Sequence, residues 1–177
     1  LAGMMGWTGV RVPANGCPAG MSGTCVTDFL DIIEANLGVN KVNPFIKRIR
    51  NLSVTVGADG TVLHDLTFTI SNNASRVQNA AANTYTSYVR LYYPPGSVLS
   101  RISINGVDTP NRQQTPADAS IPYYEPLAGT VPGVGVALTA PPGQTILSVS
   151  YVTRGLFDSN VSPIIYRLLQ PKQPGVT

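Results

Sequence analysis

Few residues in this chain could carry chemistry, and each has an identifiable alternative role. His64 is the only histidine, and Asp65 follows it. A Ser-His-Asp relay needs a histidine within hydrogen-bond reach of both a nucleophile and an orienting acid. No G-x-S-x-G elbow supplies that nucleophile, since Ser22 lies in GMSGT. His64 falls in a stretch whose alternation is read as exposing it, so it is expected to be a surface strand residue. Asp28, Asp31 and Glu34 form the one cluster among nine acids. Two carboxylates facing each other across a cleft could hydrolyse a glycoside. Their i, i+3, i+6 spacing instead spreads these three over a solvated helix face. A calcium loop of the D-x-D-x-D-G kind is missing, so no metal site is expected. Gly133-Val134-Gly135 lacks the strand-to-helix context of a dinucleotide fingerprint. No catalytic residue and no cofactor are expected.

Cys17 and Cys25 stand eight residues apart in NGCPAGMSGTC. Two sulfurs with no histidine nearby are too few for a structural zinc site. A disulfide closing the small loop is the better reading, and it implies an oxidising, extracytoplasmic compartment. Three N-x-S/T sequons occur, at Asn51, Asn73 and Asn160, and Pro163 follows the third. Asn51 and Asn73 are the glycosylation candidates. Most tyrosines sit at strand spacing. Tyr123 and Tyr124 lie in a long loop and are the candidate partner contact.

The elements around these residues are mostly strands. Charged residues make up only 12% of the 177, while 17 glycines and 15 prolines punctuate the chain. That is the composition of short strands joined by tight turns. The twelve basic residues are dispersed and lack the dense basic face of a nucleic-acid binder. The apolar runs are all too short to span a membrane as a helix. The chain starts at Leu1 and reads as a processed product or a piece of something longer.

Residues 27 to 37 are expected to form a short helix. Thr27 is the N-cap, Phe29, Ile32, Ile33 and Leu37 share one face, and Gly38 is the stop. From about residue 49 the period becomes two. Leu52, Val54 and Val56 alternate with polar residues. Leu66, Phe68 and Ile70 do so next, then Val89, Leu91 and Tyr93, Ile102 and Ile104, Val134, Val136 and Leu138, and Leu147, Val149 and Tyr151. IIYRLLQ closes the series. Turn signals fall at Ala58-Asp59-Gly60, at both Pro-Pro-Gly runs and at Asn105-Gly106. About seven strands predict a mainly β chain, an immunoglobulin-like antiparallel β-sandwich over residues 45–177. Residues 1–44 would be an irregular N-terminal segment holding the disulfide loop, the helix and a buried Trp7. Asn36, at the end of the helix, and Asn40, Lys41 and Asn43, after its stop, precede Pro44. Their amides suit a structural joint pinning that segment to the sandwich.

Several stretches occur in a familiar order: GWTG (6–9), DFLDIIEANLGVNKVNPFIKR (28–48), YTSYVRLYYPPGSVL (85–99), PPGQTILSVSY (141–151) and YRLLQPKQPG (166–175). Together they resemble the C-terminal part of the bacterial domain-of-unknown-function 4012 family. The resemblance implies an envelope protein with a membrane-anchored N-terminus, a large extracytoplasmic region and a terminal β-sandwich, with no established activity. The chain departs from that pattern in lacking the family's larger N-terminal region and in inserting the Cys17–Cys25 loop.

The functional expectation is a non-enzymatic extracytoplasmic module of a bacterial cell-envelope protein, at the cell surface or secreted, serving adhesion, spacing or partner binding. Its partner would be another envelope protein or the upstream region of its own parent chain. No nucleic acid is expected, and contact with a membrane would come only through a missing anchor. One alternative is a self-assembling subunit of a surface filament or lattice. A weaker one is an accessory domain of an envelope glycan enzyme.

Overall fold

The computed structural model describes residues 17, 19–20, 22–38, 41–74, 83–111, 124–127, 131–158, 160 and 164–171. The alternating segments form strands as their period requires. β1 (Thr24–Phe29) and β2 (Asp31–Asn36) come first. β3 (Ile46–Val56) and β4 (Val62–Asn72) make a long hairpin, followed by β5 (Tyr85–Tyr92), β6 (Ser97–Ile104) and the two-residue β7 (Val107–Asp108). β8 (Tyr124–Pro126), β9 (Gly133–Ala140), β10 (Gly143–Thr153) and β11 (Ile164–Leu169) complete the series. One antiparallel sheet runs β3-β4-β10-β6-β7 and a second runs β2-β5-β9-β8. β1 and β11 pair with each other in parallel.

Alternate side chains of both sheets enter one core. Leu66, Phe68 and Ile70 of β4 and Leu147, Val149 and Tyr151 of β10 meet Val89 and Leu91 of β5 and Val134, Val136 and Leu138 of β9. All eleven were expected to point inward. The turn between β3 and β4 is closed by Asp59, whose carboxylate accepts from Thr61 N at 3.0 Å and from Thr61 Oγ1 at 2.9 Å. Gly60 there has φ +79°, and a Cβ would lie 2.4 Å from the carbonyl oxygen of Phe157. Backbone sign and contact both demand glycine at that position.

The helix expected over residues 27–37 is not formed: β1 and β2 occupy that stretch, with a fully buried Leu30 at the corner between them. The supposed apolar face does not hold together, because Leu37 is 57% exposed while Val26, Phe29, Leu30 and Ile32 are buried. Pairing partners decide the matter. β2 hydrogen-bonds along its whole length with β5 and so belongs to the four-stranded sheet. A short helix is marginal alone, and a sheet edge outcompetes it. Among the described residues, eleven strands replace the expected seven or so. The extra ones are β1, β2 and the short β7 and β8, the last two lying in what was read as a long loop. Trp7 lies outside the described residues.

Candidate functional site: two buried polar clusters

Among the described residues, two clusters of polar side chains lie inside the fold. The first joins three strands. Asp28 comes from β1, His64 from β4 and Tyr166 from β11. His64 Nε2 lies 2.6 Å from Asp28 Oδ2, and both side chains are fully buried. A carboxylate only accepts, so Nε2 carries the proton. Tyr166 OH donates to the same oxygen at 2.5 Å, and Phe29 N donates to Oδ1 at 2.6 Å. Burial, then the bond to Asp28, raises the Tyr166 hydroxyl above its ordinary range.

The imidazole is held flat as well as bonded. Tyr151 faces His64 across the β4–β10 ladder, and the two rings stack at 4.2 Å and 5°. Tyr93, just past β5, stacks on Tyr151 at 5.1 Å. Three rings thus run from one sheet to the other. His64 Nδ1 and Tyr151 OH are buried without a hydrogen-bond partner. A general base needs a nucleophile on its free nitrogen and a route for substrate. Among the described residues no nucleophile bonds Nδ1, and the bonds that the cluster does make tie β1, β4 and β11 together.

The second cluster joins the neighbouring edges of the two sheets. Glu34 of β2 receives Arg48 Nε of β3 at 2.5 Å, with side-chain exposures of 2% and 13%. Tyr85 OH of β5 donates to the other Glu34 oxygen at 2.7 Å and accepts from Arg48 Nη2 at 2.8 Å. Arg48 Nη2 also donates to Asn43 Oδ1 at 2.8 Å, and its guanidinium lies 5.3 Å from the Tyr85 ring centroid. Burial, then the bond to Glu34, pushes the Tyr85 hydroxyl up to about 12.

These placements correct several expectations. His64 is not on the surface: it is 1% exposed. Asp28 and Glu34 are not on a solvated face: they are 0% and 7% exposed, and only Asp31 remains half-buried. Burial raises the Asp31 carboxyl above its ordinary range. Strand parity carried the missed signal. Leu66, Phe68 and Ile70 point inward, so His64, two residues before Leu66, must do the same. Glu34 shares the parity of buried Ile32. Tyr124 is not a loop residue but sits in β8, half-buried against the core. Tyr123 and Asn40 lie outside the described residues.

Of the supposed joint, Asn43 lies in a 3-10 turn (Asn43–Phe45) and binds Arg48, while Asn36 Oδ1 accepts from Gly38 N at 2.8 Å. Lys41 is exposed. Asn51 and Asn73 are exposed, as glycosylation would need. Cys17 and Cys25 are bonded to each other, as expected, and Cys25 anchors the start of β1. The glycines of Gly133-Val134-Gly135 make room for tyrosines: a Cβ on Gly135 would lie 1.8 Å from Tyr88 OH. Among the described residues, no group of three or more His, Cys, Asp or Glu side chains is placed to hold a metal ion. Compared with protein families, curated proteins and solved structures, the chain matches none, so the family resemblance rests on the residues quoted above.

Proposed function

We propose that the two sheets form an immunoglobulin-like β-sandwich, and that the chain serves as a non-enzymatic extracytoplasmic module of a bacterial cell-envelope protein, for adhesion, spacing or partner binding. One observation carries this reading. The single histidine and two of the acids are engaged in holding strands together, inside the fold and out of reach of a substrate. The disulfide supports an oxidising compartment. The test is labelling of intact producing cells with a membrane-impermeant reagent, together with a thiol assay on the recovered protein. Label on intact cells with no free thiol is expected. Label only after lysis, with free thiols, would overturn the reading. The alternative of a self-assembling subunit draws support from the length of edge strand β3.

A further inference from the structure

β1 and β11 pair with each other and with no other strand among the described residues. Two strands alone make a marginal sheet, and parallel strands are normally covered on both faces. The two are unequally held. Five of the six β1 residues are buried. β1 runs on through Leu30 into β2, and Asp28 ties it to His64 of β4 at 2.6 Å. In β11, Ile164, Ile165 and Tyr166 are half-buried, while Arg167, Leu168 and Leu169 are exposed. The apolar core between the two sheets contains no side chain of either strand. β11 can therefore leave without opening that core, and β1 stays in place as an open strand edge.

The fit of that edge to its occupant is specific. The register runs unbroken from Thr24 beside Ile164 to Phe29 beside Leu169. Leu30 N donates to Leu169 O at 3.1 Å, and Tyr166 OH donates to Asp28 Oδ2. A second copy carries the identical strand and offers the identical bonds. Residues 154–163 connect β10 to β11. A connection of that length, fully extended, reaches about 33–36 Å, enough to cross to a neighbouring molecule.

We propose that β11 exchanges between copies: the β1 edge of each chain takes β11 of the other, closing a dimer that holds two complete ribbons. Exchange of an identical element is a low-cost route to a dimer, because the contacts broken in one chain are remade in the next. The balance between the two forms then rests on the effective concentration of the tethered strand, about millimolar for a short connection. Dilute chains are monomers, and chains crowded to that concentration exchange. The Asp28–Tyr166 bond fixes the register in both forms. This inference goes beyond the module reading and is independent of where the protein resides.

The register makes the test specific. Thr27 and Arg167 stand directly opposite each other. Neighbouring strands about 4.8 Å apart suit a disulfide. Two full-length chains with different affinity tags, one Thr27→Cys and one Arg167→Cys, each carry one new thiol. Thr27 is 8% exposed, so its replacement thiol is out of reach of a chance collision. Mixed at about 1 mM and mildly oxidised, the two chains should link to each other, and mixing them at about 10 μM should cut the linked fraction at least about 10-fold. The double variant Thr27→Cys/Arg167→Cys, when dilute, should close within its own chain and show that the two thiols can join. Light scattering on the unmodified chain should rise from 18.7 kDa toward twice that mass over the same range. No linked pair at about 1 mM, from thiols that do join within the double variant, overturns the proposal. So does Arg167→Cys linking to an exposed Ser53→Cys as readily as to Thr27→Cys. Should the double variant fail to close, light scattering decides, and a chain still monomeric at about 1 mM overturns it.

Discussion

Deleting the Asp28 carboxylate tests whether the first cluster fastens the β1–β11 ribbon to the sheets. Asp28→Ala strands three donors at once: His64 Nε2, Tyr166 OH and Phe29 N, at 2.6, 2.5 and 2.6 Å. Leaving a buried donor without its acceptor costs about 1–3 kcal/mol, so a loss of at least that size is expected. Asp28→Asn retains one acceptor oxygen, and a loss of about 1–3 kcal/mol is expected. His64→Phe keeps the stack on Tyr151 and removes the group that needs an acceptor. The double variant Asp28→Ala/His64→Phe should therefore lose less than the sum of the singles, by about 0.5–3 kcal/mol. Urea unfolding with linear extrapolation measures each value, and an unchanged m-value assigns the effect to the native state. A loss under about 1 kcal/mol in Asp28→Ala, or strict additivity in the double variant, refutes the fastening role.

Three further outcomes are expected. Tyr85 is raised from 10.0 to about 12 in the fold, so the stability it contributes is present below pH 10 and lost as pH rises toward 12. Urea midpoints should fall over that window, and Tyr85→Phe should flatten part of the fall; a flat wild-type profile refutes it. Asn43→Ala removes an acceptor of Arg48 and should lower stability by about 0.5–1.5 kcal/mol in thermal unfolding, and an unchanged melting temperature counts against the joint. Reducing the Cys17–Cys25 bond, which closes a loop of eight residues, should cost about 2.5 kcal/mol on the chain-entropy account; equal urea midpoints with and without reductant would oppose it.

β3, β4, β5, β6, β9 and β10 were legible because one hydrophobic face per strand leaves a period of two, whereas β7 and β8 are too short to show one. The residues at 89, 91 and 93 and at 147, 149 and 151 are buried as their alternation requires. The first strands were not legible, since Phe29, Ile32, Ile33 and Leu37 also fit a helical spacing. Only the pairing of β2 with β5, across some fifty residues of sequence, separates the two readings. The polar clusters were hidden for a different reason. Reading charged residues as solvated fails wherever they are paired inside. Asp28 finds His64 36 positions away and Tyr166 138 positions away. No local pattern encodes such partners, although the inward parity of His64 was available.

The parallel pairing of β1 with β11 has a mechanical consequence. The register runs from Thr24 beside Ile164 to Phe29 beside Leu169. Tension arriving along the chain crosses the Cys17–Cys25 bond, enters at Cys25 and leaves at Leu169, near opposite ends of the ribbon. The two strands are then drawn lengthwise past each other, so their bonds share the load and must yield together rather than open one at a time from an end. The Asp28–Tyr166 contact lies across that same sliding plane and adds a lock to it. Force applied between Cys17 and Leu169 would load this ribbon lengthwise.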